Sequence, residues 1–205
     1  GWIGFLSYEA GLPVEGITPH ADTDMVVPRA RFGLYDAAAV FDHEREQWYL
    51  TAVDWPAPMA KLRPPVTQRL SLLRERLQAA SRVVRDWNLA PEPPPPYTTR
   101  PVPNMSRLAY VAKLLRAKRY IEAGDVYQVN LTQRFTAQTT ATPLELYRRL
   151  RTASPSSHAA LLMWDDTAII SSSPELFLDL RDGHVVTRPI KGTRPRTGDP
   201  RIDAM

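Results

Sequence analysis

A proline-rich segment in the middle of the sequence most constrains how this chain can fold. Seven of the fourteen residues from Ala90 to Pro103 are proline. Proline has a fixed φ and no backbone N–H, so this segment can continue neither a helix nor a central strand. We predict an extended linker over 90–104, between a first lobe at 1–89 and a second lobe at 105–205. A docking site for a polyproline-binding module is the alternative, and a stiff spacer is the favoured interpretation.

The composition argues against several classes of protein. The 205 residues include no cysteine, which excludes disulfides and thiolate metal sites and is typical of a reducing compartment. No apolar run approaches the ~20 residues that a membrane span needs. The net charge of +4 suits a small anionic substrate as well as a nucleic acid, but no nucleic-acid-binding motif is present. We therefore predict a cytoplasmic protein that uses neither a membrane nor a nucleic acid as its partner.

The first lobe combines strands with one long helix. Apolar runs predict a glycine-interrupted strand over Trp2–Tyr8 and an antiparallel hairpin formed by 31–41 and 48–53. Leucines at three- and four-residue spacing predict a helix over Thr67–Trp87. The charged residues of this helix fall mostly off the apolar stripe and predict a solvated face: Arg69, Arg74, Glu75, Arg76 and Arg82.

The second lobe has clear helix boundaries. Ser106 and Gly124 are typical of the two caps of a helix that ends at Ala123, and Thr142 to Glu145 is typical of a capping box. Between these helices, strict alternation predicts a strand over 126–136 whose apolar face lies on the core. Short β-branched and apolar runs from 158 to 187 predict an antiparallel meander, because no helices separate them.

The last hairpin of this meander delivers a lysine to a basic bend, TRPIKGTRPR at 187–196. Pro189 stiffens the approach, and Gly192 allows either a sharp turn or the close approach of a ligand. Lys191 could therefore be an amine in an anion site, although a solvated surface loop is the simpler interpretation. A lysine with an ordinary pKa of about 10.4 is a poor nucleophile, and Arg188, Arg194 and Arg196 are cations that could lower that pKa.

Glu175 lies sixteen residues before Lys191, across the last predicted turn near Asp182-Gly183. The turn would bring the two side chains together. A carboxylic acid at this place can protonate a departing hydroxyl, whereas a simple ion pair with Lys191 or an arginine is the structural alternative. The spacing alone leaves both interpretations open. The four histidines are scattered and do not predict a metal cluster.

Two blocks of this sequence resemble one enzyme family. They are SPE at 173–175 followed by PIKGT at 189–193, and AGDVYQVNLTQRF at 123–135. Both resemble component I of aminodeoxychorismate synthase, which is related to component I of anthranilate synthase. The resemblance implies an α+β fold with two lobes, in which antiparallel, sandwich-like β-sheets carry helices on the outside. Family members are about twice as long, so the resemblance also implies an internal fragment, with the second lobe truncated.

The resemblance implies a reaction and a set of roles. Lys191 would attack C2 of chorismate, Glu175 would protonate the departing C4 hydroxyl, and ammonia would then replace the lysine to give 4-amino-4-deoxychorismate, a precursor in p-aminobenzoate and folate biosynthesis. Gln128, Gly192 and Thr193 would contact the substrate. Pro155, Ser156 and Ser157 align with the family's tryptophan-site loop. A separate glutaminase subunit would supply ammonia in a heterodimer, and Mg²⁺ would be held by carboxylates C-terminal to this segment, with no metal ligand among these residues.

Two other functions stay open at this point. Anthranilate synthase component I resembles this chain but has alanine in place of Lys191. Water-adding relatives have a lysine base in place of Gln128, and glutamine cannot deprotonate water. A catalytically silent homologue that binds a metabolite or a partner is the alternative from another class. By itself, this segment is expected to be inactive.

Overall fold

The computed structural model describes residues 1–18, 27–89, 98–192, 195 and 197–199, and for 83–89 it describes the backbone alone. The chain divides into two compact units, Gly1–Pro93 and Pro94–Met205. Residues 90–97, the first part of the predicted linker, lie outside the described residues. The described elements are three α-helices and ten strands, and every sheet that they form has two antiparallel strands. This is the predicted α+β class.

The first unit contains two strand pairs and a long helix. Strand β1 (Trp2–Leu6) pairs with β2 (Ala30–Leu34), and β3 (Ala37–Asp42) pairs with β4 (Gln47–Ala52). Helix α1 (Val66–Leu89) packs against β3 and β4. The single strand predicted over 31–41 is therefore wrong in one respect: its two halves belong to different sheets, because each half finds a different partner.

The glycine at position 4 of strand β1 has a steric reason. It lies opposite Phe32 in the β1–β2 register, and a Cβ on Gly4 would come within 2.0 Å of the Arg31 carbonyl oxygen. Real side chains never make such a contact, so only glycine fits where these two backbones approach each other.

Arg69 joins helix α1 to the β3–β4 hairpin. Its guanidinium donates to the carbonyl oxygens of Asp36 (2.9 Å), Val53 (2.7 Å) and Pro64 (3.0 Å). It also forms an ion pair of 3.2 Å with the Asp36 carboxylate, and the Arg69 side chain is only 10% exposed. The predicted solvated face is therefore wrong for Arg69, because the planar fork of donors satisfies the carbonyls at the open end of the hairpin.

The second unit begins with a short strand, β5 (Val102–Pro103), which is the last part of the predicted linker and pairs with β6 (Phe135–Thr136). Helix α2 (Arg107–Ala123) follows β5 and has the predicted caps. Ser106 Oγ accepts a hydrogen bond from the Ala109 N–H at 3.2 Å, and Gly124 is left-handed, with φ of 80°. Both capping predictions are confirmed, because a cap depends on residues that are neighbours in sequence.

The predicted strand over 126–136 is wrong for most of its length. Only Phe135–Thr136 forms a strand, and no described strand pairs with 126–134. Tyr127, which alternation placed on the core, is 93% exposed, and Phe135 is 59% exposed. Alternation indicates which side chains share a face, but a strand forms only where another strand takes up its backbone hydrogen bonds.

Helix α3 (Pro143–Ala153) begins with the predicted capping box. The Glu145 carboxylate accepts the Thr142 N–H at 2.7 Å, and Thr142 Oγ1 accepts the Glu145 N–H at 3.3 Å. The Thr142 N–H, and after it the Thr142 hydroxyl, lower the pKa of Glu145 below its ordinary value of 4.5. The charged form of Glu145 therefore stabilises the start of α3.

After α3, two hairpins replace the predicted continuous meander. Strand β7 (His158–Met163) pairs with β8 (Ala168–Ser173), and β9 (Leu176–Arg181) pairs with β10 (His184–Arg188). No ladder joins β8 to β9 among the described strands. Pro174, between them, contributes no N–H and interrupts the hydrogen bonding at that point. Helix α3 packs on the β7–β8 hairpin.

No described side chain is fully buried, and none of the described helices combines the length and apolar composition that crossing a membrane requires. Large apolar residues are exposed in both units, and those of β9 and β10 are Phe177, Leu178, Leu180, Val185 and Val186.

We predict that Arg69→Lys loosens the first unit. A lysine ammonium cannot reproduce the forked geometry that reaches three carbonyls and a carboxylate, so we expect a loss of about 2–3 kcal/mol. Amide hydrogen exchange in the full-length protein should become faster in β3, β4 and the first turns of α1. Arg76→Lys is the matched control, because Arg76 is exposed on the same helix and has no described hydrogen bond or ion pair. Equal exchange in both variants would contradict the role of Arg69.

We also predict that Glu145→Gln changes how the stability of α3 depends on pH. Because the folded state lowers the pKa of Glu145, its carboxylate contributes stability above about pH 4.5, and that contribution is lost as the pH falls through the folded pKa. At neutral pH, the amides of α3 should be better protected from hydrogen exchange in the wild type than in Glu145→Gln. In acid, the protection of α3 should become the same in both proteins. Glu75→Gln controls for the loss of one negative charge. A difference that persists unchanged in acid would refute the prediction.

Candidate active site

The β9–β10 hairpin carries the candidate site. Asp182 and Gly183 connect the strands and have positive φ values of 51° and 80°. A two-residue turn with both φ positive matches the right-handed twist of a hairpin, and Asp-Gly is a preferred sequence for it. His184 lies opposite Arg181, and the register continues to Arg188 opposite Leu176, with an irregularity after Val186. The predicted turn and hairpin are confirmed.

The hairpin brings Lys191 and Glu175 together. Lys191 Nζ lies 3.9 Å from Glu175 Oε2. Glu175 directly precedes β9, and Lys191 follows β10 by three residues, so the strand pairing places both at the same open end. The Lys191 side chain is 79% exposed and that of Glu175 is 38% exposed. The two side chains therefore form a long, solvent-exposed ion pair.

This geometry bears on the two interpretations of Glu175. The ion pair with Lys191 exists, as the structural alternative predicted. An exposed ion pair contributes about 1 kcal/mol or less to stability. The ion pair therefore contributes little to stability, and the role of Glu175 as a proton donor stays a prediction.

Of the other predicted substrate contacts, Gln128 and Gly192 are described. Gln128 is exposed on backbone that forms no ladder, and within the described chain no hydrogen bond or ion pair connects it to Glu175 or Lys191. Thr193, Arg194 and Arg196 lie outside the described residues. The two roles of Gln128, as a substrate contact and as the residue that disfavours addition of water, stay predictions.

Gly192 is described and lies directly beside Lys191. Its φ is outside the left-handed region, and no atom of the described residues lies within 4 Å of a Cβ built on it. The backbone conformation therefore does not require glycine here. Of the two reasons given for this residue, the close approach of a ligand is the one that the geometry leaves.

The loop at 154–157 is tied to the strand that leads to Glu175. Ser156 Oγ donates a hydrogen bond to the Ser173 carbonyl oxygen and accepts one from the His158 N–H at 3.2 Å. The single donor of Ser156 is therefore already used. Pro155 and Ser157 are exposed. The assignment of Pro155, Ser156 and Ser157 to a tryptophan-site loop stays a prediction.

Sequence reasoning missed Ser172 and Ser173. Ser172 Oγ donates to the Ser154 carbonyl oxygen, and Ser173 Oγ donates to the Glu175 carbonyl oxygen at 3.4 Å. Three consecutive serines at the end of a strand, directly before Pro174, were the available signal, because hydroxyls near a strand end often satisfy loop carbonyls. No group of three His, Cys, Asp or Glu side chains in the described chain could hold a metal ion.

Comparison with known proteins places this hairpin in a family. The sequence profile described as chorismate binding enzyme matches residues 1–205, the whole chain. The chain belongs to the chorismate-binding enzyme family. Aminodeoxychorismate synthase component 1 of Klebsiella aerogenes is 34% identical over 205 residues, which is 100% of this chain and 41% of that protein. Anthranilate synthase component 1 of Lactococcus lactis is 32% identical over 196 residues, or 96% of this chain and 41% of that protein.

A solved structure agrees with the family assignment. Anthranilate synthase component I from Streptococcus pneumoniae TIGR4 matches with a TM-score of 0.71 and 25% identity, over 90% of this chain and 41% of that one. The chain therefore has the chorismate-binding enzyme fold. It spans about two fifths of the length of these relatives. Relatives named for two different activities match almost equally well. The similarity therefore establishes the family, and the choice between the two reactions depends on individual residues.

We predict that the two glycines of this hairpin respond differently to alanine. Gly183→Ala should destabilise the hairpin by about 1 kcal/mol, because alanine is disfavoured at positive φ. Gly192→Ala should change stability by less than about 0.5 kcal/mol, because no atom of the described residues lies within 4 Å of its Cβ. Hydrogen exchange of β9 and β10 would measure both effects. If Gly192→Ala is as stable as the wild type and yet binds chorismate more weakly, Gly192 contacts the ligand; unchanged binding would remove it from the site.

Proposed function

We propose that the protein containing this chain is component I of aminodeoxychorismate synthase, which converts chorismate and ammonia to 4-amino-4-deoxychorismate. The observation that carries the proposal is the pairing of Lys191 Nζ with Glu175 Oε2 at 3.9 Å. An amine and a carboxyl group at that distance are the two groups that a substitution at carbon with loss of a hydroxyl requires. The similarity to relatives named aminodeoxychorismate synthase supports the same conclusion.

The proposed reaction has two steps. In the first, the neutral Lys191 amine forms a bond to C2 of chorismate, the ring double bonds shift, and the C4–O bond breaks. Glu175 gives its proton to the departing hydroxyl, which leaves as water. In the second, ammonia bonds to C4, the double bonds shift back, and the C2–N bond breaks to release the neutral Lys191 amine. One proton of the new ammonium group at C4 then returns to Glu175. The sum is chorismate plus ammonia giving 4-amino-4-deoxychorismate plus water.

The ion pair can supply both reactive groups through one proton transfer. Moving a proton from the Lys191 ammonium to the Glu175 carboxylate creates a neutral amine and a carboxylic acid at the same moment. Hydration favours the charged forms, and both side chains are partly or largely exposed. Productive chemistry therefore requires that bound chorismate and the surrounding protein exclude water from the pair.

Anthranilate synthase is the second candidate, since a relative of that name is 32% identical over nearly the whole chain. Lys191 argues against it, because the anthranilate-forming relatives that the sequence resembles have alanine there. A chain with alanine at this position would have no amine to bond to the substrate. The presence of Lys191 beside Glu175 therefore favours the aminodeoxychorismate reaction.

Ammonia would come from a separate glutaminase subunit, as the two-component relatives imply, in the cytoplasm. From the resemblance, we expect Mg²⁺ to be held by carboxylates C-terminal to this segment, and the described residues contain no group of three His, Cys, Asp or Glu side chains that could hold a metal ion. The steps above use only Lys191 and Glu175. A catalytically silent homologue is the outcome that remains if this pair proves unreactive.

We predict a covalent adduct on Lys191 when the full-length protein meets chorismate and Mg²⁺ without ammonia. The second step cannot then occur, so the first product should accumulate with a mass equal to the protein plus chorismate less one water. Intact-mass spectrometry and peptide mapping would detect it. Lys191→Ala should form no adduct, and Glu175→Gln should form it at least tenfold more slowly, because the departing hydroxyl lacks its proton.

Lys61→Ala is the matched control, because Lys61 belongs to the first unit and is exposed. It should form the adduct at the rate of the wild type. Identical spectra for the wild type with and without chorismate would overturn the lysine mechanism. Release of anthranilate would instead favour the second candidate.

A further inference from the structure

The loop at 154–157 and the end of β8 are joined by two hydrogen bonds that run in opposite directions. Ser156 Oγ in the loop donates to the Ser173 carbonyl oxygen in the strand. Ser172 Oγ in the strand donates to the Ser154 carbonyl oxygen in the loop. Since each partner supplies one donor and one acceptor, the junction fixes the strand end in both position and rotation.

From this junction the chain reaches Glu175 in two residues. Pro174 has a fixed φ, and Ser173 Oγ bonds to the Glu175 carbonyl oxygen at 3.4 Å. The backbone of Glu175 therefore has little freedom relative to Ser173. On the other side, β10 holds Lys191, so the separation of the two reactive groups depends on where the end of β8 lies.

We propose that Ser156 is a positioning residue for Glu175 and acts through the Ser173 carbonyl. This inference rests on the proposed function, because Ser156 matters to catalysis only if Glu175 acts on the substrate. Without the hydroxyl, the part-buried Ser173 carbonyl loses its donor, and the strand end gains freedom. A displacement of about 1 Å at a reacting group can slow a reaction strongly, even where substrate binding is unchanged.

The geometric part can be tested without any turnover. A water-soluble carbodiimide activates Glu175, and Lys191 at 3.9 Å can then form an amide with it, which peptide mass spectrometry detects. We expect Ser156→Ala to reduce the yield of this cross-link at least threefold in the full-length protein, and Ser156→Thr to restore it. Ser171→Ala is the matched control, because Ser171 lies on the same strand and its hydroxyl makes no hydrogen bond to the loop in the described structure.

The catalytic part uses the rate of adduct formation on Lys191. We expect Ser156→Ala to slow the adduct about tenfold, the effect of one ordinary hydrogen bond, while the Kd for chorismate changes less than twofold. A merely structural defect would weaken chorismate binding as well. Ser156→Thr should recover most of the rate, and Ser171→Ala should equal the wild type.

The results separate this inference from the proposed function. A wild-type protein that forms no adduct overturns the reaction, while the cross-link still decides whether Ser156 positions Glu175. A Ser156→Ala variant with the wild-type cross-link yield or the wild-type adduct rate overturns the inference and leaves the reaction standing. If Ser156→Ala does not fold, Ser172→Ala breaks the second hydrogen bond of the same junction and should lower the cross-link yield and the adduct rate in the same way. Wild-type values for Ser172→Ala would also overturn the inference.

Discussion

The backbone hydrogen bonds between β9 and β10 are the interaction on which the candidate site depends. They bring two side chains together that are sixteen residues apart in sequence. The turn at Asp182 and Gly183 sets their register, because positive φ at both positions allows the tight connection that the twist of the strands requires. A slip of one residue would turn every side chain of the hairpin to the opposite face. The turn therefore determines that the amine and the carboxyl group meet at the open end of the hairpin.

The solvent exposure of the hairpin conflicts with what the proposed reaction requires of Lys191. Lys191 is 79% exposed, and Phe177 (82%) and Leu180 (68%) in β9 of the same hairpin are exposed as well. A contiguous exposed apolar surface is unfavourable in water. The nucleophile needs the opposite environment, since a neutral amine is favoured by desolvation. Exclusion of water from this hairpin would therefore favour both the exposed apolar side chains and the proposed neutral amine, and the described residues leave both exposed.

The features that sequence reasoning predicted well depend on residues that are close together in the chain. Ser106, Gly124 and the capping box at Thr142 appear where they were expected, because a cap needs only the next three or four residues. The Asp182-Gly183 turn succeeded for the same reason. Predictions that required a distant partner were less successful. Arg69 was placed on a solvated face, yet it bonds carbonyls up to 33 residues away.

What the sequence determined by itself was the α+β class, the helix ends, the last hairpin and the identity of the pair at its open end. Local stereochemistry and family-specific motifs were enough for these. What only the tertiary structure decided was which strands pair. Among the described strands, none pairs with 126–134, the run at 31–41 is divided between two sheets, and Ser156 is hydrogen-bonded to the strand that leads to Glu175. Strand pairing and hydroxyl contacts depend on which segments meet in space, and alternation along a single segment carries no information about its neighbour.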